Sequence, residues 1–453
     1  MFRRKAIDEW ALDYWLLQSY AKLCFRVYYR KVEVVNKNRI PLNQPVILAP
    51  NHQNALMDAM VLVCKTQFQN VFLARADIFK GKRMTRFLNF LNIMPIYRMR
   101  DGIENVKRND EVFEKTLQVL HNMHNPLGLF AEGNHGDKRR LRPLVKGLFR
   151  IGLQAQEKYG NLPAVKIIPV GIDYGHYQHF RSTLFVNVGE PIEVSSFNDT
   201  YRENPVLAIN QLKESFATAL SRQMIDIQTE EFYDLYMHLR EIFNDEIHEE
   251  LGIQETSLAS KFKADKAMIE LLNKELNQNP ENMRSLDVLV SDYQQSVRKA
   301  GLRDWVIRKQ PFTIPGLILS VLAQLILLPV FAFGFLNNWL PYRFTGSRVK
   351  NIKDTQFHSS FKYVIGMIAF PLWYLILAVV LALLSLPAWV VLLYVILLPV
   401  TGLAAFHYYI CLKKLVAKIR YTLCKNSALM MHLRNTRKVI SDRMLDIIKR
   451  QKT

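Results

Sequence analysis

The stretch Val46-Ile-Leu-Ala-Pro-Asn51-His52-Gln-Asn-Ala-Leu-Met-Asp58 decides how the rest of the chain is read. Its first four residues are a short continuous apolar run, the pattern of a strand buried on both faces. A Pro-Asn turn follows, and a helical pattern begins near residue 57. A His close to a carboxylate at the carboxyl end of a strand is the minimum for general-base chemistry in an α/β site. The imidazole takes a proton from an attacking hydroxyl while the Asp fixes its tautomer. Six residues of regular helix turn through about 600°, so His52 and Asp58 meet only if the segment bends between them. That requires His52 in the turn and Asp58 in the following helix.

Working outward, the same rhythm recurs. Apolar runs at Lys31–Val35, Val46–Ala49, Val71–Ala74, Ile93–Tyr97, Leu127–Ala131, Val165–Val170 and Leu184–Val188 read as strands. Helical patterns lie around 57–66, 80–91, 107–124 and 147–159. Strands alternating with helices predict an α/β layer fold. From about 203 to 309 the strands stop and a charged helical extension follows, interrupted at Asn279-Pro280.

Composition divides the 453 residues sharply. The chain carries 60 Lys+Arg against 40 Asp+Glu, a net charge of +20. Yet no Asp, Glu, Lys or Arg occurs from Gln310 to Tyr342, nor from Tyr363 to Leu412. A bilayer core takes about 20 apolar residues per helix, so the chain reads as an integral membrane protein. The second run would measure about 75 Å as one helix. It predicts a hairpin over 363–412 that turns at Pro387. The first run, 311–342, is read as a re-entrant or membrane-spanning segment, and re-entry is favoured because it lets every positive flank face the cytoplasm. The basic tail 413–453 is expected against anionic headgroups. Residues 1–30, rich in Trp, Tyr, Arg and Lys, suit an amphipathic helix at the membrane interface, or equally a helix docked on the soluble core. Asp8 and Glu9 interrupt any signal-peptide core after Met1-Phe-Arg-Arg-Lys5, so the first 300 residues are expected on the cytoplasmic face. Four dispersed cysteines exclude a disulfide scaffold, and the absence of zinc-finger or RNA-recognition signatures argues against a nucleic-acid partner.

An ordered series of blocks gives the His-Asp pair its meaning. Ile93-Met-Pro-Ile-Tyr-Arg98 ends a strand pattern in a guanidinium suited to phosphate; Phe130-Ala-Glu132-Gly133 ends another in a carboxylate; Ile168-Pro-Val-Gly171 ends a third. With Asn51-His52…Asp58 first, this series resembles the glycerophospholipid acyltransferase superfamily, which contains the glycerol-3-phosphate and lysophosphatidic acid acyltransferases. The resemblance covers roughly residues 30–225. It implies an α/β catalytic domain over 31–225 with a mixed sheet flanked by helices; the helical extension over 226–310 and the C-terminal transmembrane helical region lie outside the resemblance and rest on spacing and hydropathy alone. It also implies acyl transfer from acyl-CoA or acyl-carrier protein to a hydroxyl of glycerol 3-phosphate or lysophosphatidic acid, with no metal and no cofactor beyond the thioester co-substrate. His52 would be the base, Asp58 its orienting partner, Arg98 the phosphate ligand, and Glu132 and Gly133 part of the acceptor site. Membrane lipids would be the remaining partners.

The series departs from the family pattern in two places. Five residues separate His52 from Asp58 where four are commonest, a spacing similar to fungal-type glycerol-3-phosphate acyltransferases, and Ala131 and Asn134 stand where the third block usually reads Phe-Pro-Glu-Gly-Thr. These changes also suit a non-catalytic lipid-binding or scaffold protein that keeps the domain. Lys80, Lys82, Arg83 and Lys138-Arg139-Arg140 read as solvated charge runs, His135 as solvent-facing, and Tyr174, Tyr177 and Phe180 as packing.

Overall fold

β2 (Val46–Pro50) is buried along its whole length, as its unbroken apolar run requires. A computed structural model describes residues 7–97, 109–160, 163–309 and 311–452. Among them, eight strands form one sheet in the order β1-β7-β6-β2-β5-β3-β4, with β8 also paired to β6. The others are β1 (Lys31–Val35), β3 (Val71–Arg75), β4 (Ile93–Ile96), β5 (Leu127–Gly128), β6 (Lys166–Tyr174), β7 (Thr183–Val188) and β8 (Ile192–Glu193). β4, β3, β5, β2 and β6 run parallel, while β7 and β8 oppose β6. The sheet is therefore mixed. Register is set by pairs such as Leu48 with Ile168 and Ile47 with Leu127.

Helices cover the sheet. α1 (Leu12–Tyr28), α2 (Leu56–Lys65), α3 (Gly81–Phe90), α4 (Asn109–Asn122), α5 (Gly147–Lys158), α6 (Asn198–Glu203) and α7 (Pro205–Gln223) complete the first of two units, Met1–Asp226 with Asn351–Val364. α7 shows how pattern becomes packing. Pro205 at its start and the Asn204 side chain accepting from Leu207 N define the N-terminus. Ala208, Leu212, Phe216 and Leu220, four apart, then face the core with Phe149 and Ile167. In α1, Tyr14, Gln18, Ala21, Phe25 and Tyr28 form a buried stripe, while Trp15, Leu16 and Leu23 stay exposed, as does Trp10 just before it.

The second unit is Ile227–Lys350 with Ile365–Thr453. It contains α8 (Tyr233–Ile242), α9 (Asn244–Glu250), α10 (Leu258–Gln278), α11 (Pro280–Lys299) and α12 (Asp304–Arg308). The break between α10 and α11 falls at Asn279, whose side chain caps α11. Among the described residues, three helices are long and apolar enough to cross a membrane: α13 (Ile314–Val349), α14 (His358–Leu383) and α15 (Ala388–Cys424). α16 (Ala428–Lys452) follows them. The run expected to re-enter or span is one continuous helix through Pro329 and Pro341. Pro341 cannot bond the carbonyl of Asn337, and the Trp373 indole donates to that oxygen instead, at 2.7 Å. Asn338 is held similarly, donating to the Gly334 and Leu398 carbonyls and accepting from the Tyr374 hydroxyl.

Candidate active site

The site lies at the carboxyl ends of β2, β5 and β6. β2 delivers Asn51, whose side chain continues the ladder by donating to Ile172 O and accepting from Ile172 N, at 3.1 and 2.7 Å. His52 stands in the turn, and Asp58 lies in the first turn of α2. The bend between them sits at Ala55, with φ +44°, a conformation costing a non-glycine residue roughly 1–3 kcal/mol. That strained residue absorbs the longer spacing, so the two side chains still meet.

Asp58 is fully buried and accepts four hydrogen bonds. His52 Nδ1 lies 2.9 Å from Oδ2, which also accepts from the Gln53 and Asn54 backbone N–H groups at 2.9 and 2.7 Å. Tyr174, fully buried at the end of β6, donates its hydroxyl to Oδ1 at 2.6 Å. The four donors saturate the buried carboxyl group and orient it toward the imidazole. It fixes Nδ1–H on His52 and leaves Nε2 to act. The imidazole stacks on Phe130, ring centroids 4.0 Å apart, so its plane is fixed as well.

Glu132 is buried and accepts from the His52 backbone N–H at 3.3 Å. Burial pushes its carboxyl up to about 8, with the His52 N–H and Arg142 opposing the shift. Gly133 follows at φ +66°, and a Cβ there would meet Val145 Cγ1 at 2.8 Å. Only glycine makes this turn. Gly171 is equally constrained, because a Cβ would collide with the Gln223 carbonyl at the end of α7. The structure thus brings His52, Asp58, Glu132 and Gly133 together. Arg98, expected at the end of β4, lies outside the described residues.

Three features were misread from sequence. Lys138, Arg139 and Arg140, read as a solvated run, line the cleft beside His52 and Glu132. Arg139 reaches across to Asp173 at 2.8 Å. Tyr174, read as packing, does pack against Tyr29, but β6 runs four residues beyond the predicted strand end and carries its hydroxyl to Asp58 as well. His135, assigned to solvent, is largely buried with its ring edge-on to His52, centroids 5.5 Å apart.

Part of the chain is similar to known proteins. A family model described as Acyltransferase matches residues 31–173. Glycerol-3-phosphate O-acyltransferase 1 of Saccharomyces cerevisiae is 33% identical over 108 residues, 24% of this chain and 14% of that protein. Glycerol-3-phosphate O-acyltransferase 2 of the same yeast is 28% identical over 113 residues, 25% of this chain and 15% of that protein. The chain therefore spans only a small part of the length of these curated relatives. Among solved structures, the 1-acyl-sn-glycerophosphate (LPA) acyltransferase PlsC of Thermotoga maritima aligns at TM-score 0.31 and 16% identity, covering 44% of this chain and 79% of that one. Residues 31–173 thus carry an acyltransferase domain of the glycerophospholipid acyltransferase superfamily.

Proposed function

We propose that this protein is a membrane-bound O-acyltransferase that moves a fatty acyl group from a thioester, acyl-CoA or acyl-carrier protein, to a hydroxyl of glycerol 3-phosphate or lysophosphatidic acid. The observation that carries the reading is the His52–Asp58 pair, with a buried carboxylate holding Nδ1 and Nε2 left for substrate. His52 Nε2 takes the acceptor's hydroxyl proton as the oxygen attacks the thioester carbonyl. The C–O bond forms, the tetrahedral intermediate collapses with loss of the C–S bond, and the imidazolium returns the proton to the departing thiolate. Asp58 stabilises the imidazolium between these steps. No acyl-enzyme and no external reductant or oxidant enters.

The acceptor phosphate is assigned to Arg98, with Glu132 and Gly133 shaping the wall beside it. Glu132, neutral at pH 7, offers a proton donor in place of a repelling charge. The basic residues Lys138 and Arg140 along the cleft suit an anionic donor or acceptor. Both acceptor and product belong to, or enter, the bilayer, so three apolar helices in the same chain serve a purpose. We place the catalytic domain on the cytoplasmic face, where acyl thioesters are made.

The test is acyl transfer by the full chain in lipid nanodiscs. Labelled palmitoyl-CoA and palmitoyl-acyl-carrier protein are each offered with glycerol 3-phosphate and with lysophosphatidic acid. Wild type is expected to form product with one acceptor, and His52→Ala to lose roughly 10²–10⁴-fold in rate. Folded wild type without product for any pair overturns the reading and leaves a lipid-binding scaffold.

A further inference from the structure

We propose that His135 is a positioning residue for His52, and that residues 351–364, a strap far downstream in sequence, complete the wall of the acyl-transfer site by holding His135 in place. The inference rests on His52 acting as the base. Its basis is geometric. The His52 ring is fixed on three sides by Asp58 at Nδ1, by Phe130 on one face and by the His135 ring at its edge. Phe130 and Asp58 lie within the matched domain. So does His135, but its own supports do not.

His135 is held from the strap. Phe357 packs edge-on against its ring, centroids 4.8 Å apart, and the Asp354 carboxylate lies 3.9 Å from Nε2. The strap in turn is anchored to the first unit. Thr355 Oγ1 lies 3.4 Å from the Tyr177 hydroxyl, and Ser359 donates to the Tyr177 carbonyl. Lys362 donates to Gln178 O at 3.1 Å, and Tyr363 to Ala21 O at 2.7 Å. Tyr177 O also accepts from the Asn54 amide, at 3.1 Å. Asn54 belongs to the turn that holds His52, so the strap braces both the base's loop and its neighbouring ring. The strap bridges α13 and α14, two of the apolar helices. An acyltransferase domain cut at residue 226 would lack this wall.

The charged and titratable groups facing His135 are His52 and Asp58 from the site, Arg142 from the following loop and Asp354 from the strap. Burial holds the His135 imidazole below its usual range, and the neighbouring His52 adds to the effect. Loss of the His135 ring frees the edge of the His52 imidazole that it packs against, while the Asp58 and Phe130 contacts remain.

The experiment uses the full chain in nanodiscs with two readouts. In the first, kcat and KM for acyl transfer are measured separately. His135→Asn is expected to lower kcat at least several-fold with little change in KM. Asp354→Asn, on a half-exposed side chain, is expected to slow turnover alone but add nothing in the His135→Asn background. A kcat within twofold of wild type, a loss that falls on KM instead, or strictly additive effects overturns the proposal. In the second, pulses of diethyl pyrocarbonate are followed by peptide mass spectrometry, without any need for turnover. His135 is expected to be protected in wild type and modified at least several-fold faster in Phe357→Ala. Equal rates overturn the strap's role even if wild type shows no acyl transfer, so failure of the proposed activity and failure of the strap are read separately.

Discussion

Both units of this molecule bury carboxylates, and they neutralise them differently. In the second unit, Asp265 is buried against the Arg240 guanidinium at 2.6 Å and the Asn244 amide at 2.8 Å. Arg437 of α16 likewise joins Asp304 at 2.9 Å and Glu246 at 2.6 Å, with the Tyr293 hydroxyl on Asp304. Full charges cancel full charges there, and the result pins helices together. In the first unit, Asp58 is met by two backbone N–H groups, one hydroxyl and one imidazole, and Glu132 by a single N–H. Partial charges surround these groups, one hydrogen-bonded to an imidazole and one pushed up to about 8 by burial. Buried acids paired with arginine read as architecture; buried acids held by neutral donors at a strand end read as chemistry.

The sharpest way to break this comparison is Asp58→Asn. Its amide nitrogen would face N–H donors or favour the wrong His52 tautomer, so acyl transfer is expected to fall by about 10³-fold or more. Circular dichroism should remain near wild type. A rate within tenfold would mean that the pair is architecture after all. Asp265→Ala is the counterpart in the other unit. It removes the carboxylate paired with a buried guanidinium and is expected to cost about 3–5 kcal/mol of stability, read from denaturant midpoints, with the rate of the still-folded fraction unchanged.

Glu132 gives a pH signature that an arginine-paired acid does not. In the unfolded chain this carboxyl ionises near its ordinary value of 4.5, whereas in the folded protein it keeps its proton up to about 8. Between those values the folded state binds the extra proton, so stability falls as pH rises through the window. The loss is on the order of 2 kcal/mol between pH 5 and 7, and Glu132→Gln is expected to flatten the slope of melting temperature against pH. An unchanged slope would remove Glu132 as its source. The smallest effect belongs to Tyr174→Phe. Three donors to Asp58 survive it, so about 1.5 kcal/mol of orientation, roughly tenfold in kcat, is expected to go.

The misreadings share a cause. β2 to β5 and β7 were legible because each is a short, mostly apolar run with side chains in the core, and β1, only partly buried, because charged and apolar residues alternate along it. β8, two residues long, offers no period to detect. Tyr174 and His135 each sit in polar surroundings, where local pattern predicts exposure or packing. What assigns them is a partner 116 residues away for Tyr174 and a strap beyond α13 for His135.

Spacing, charge and hydropathy by themselves determined that this chain combines an α/β domain with apolar helices, while the resemblance of its ordered motifs to a known family is what pointed to His52, Asp58, Glu132 and Gly133 as one group. Those properties are local, since burial is written residue by residue in hydrophobicity. Only the tertiary structure decided how the five-residue gap closes, through Ala55 at φ +44°, and which neutral donors hold Asp58. It also decided that Glu132 is desolvated enough to keep a proton and that residues 351–364 return to the site. Protonation and orientation depend on everything within a few ångströms, and what comes that close is set by the fold, not by order along the chain.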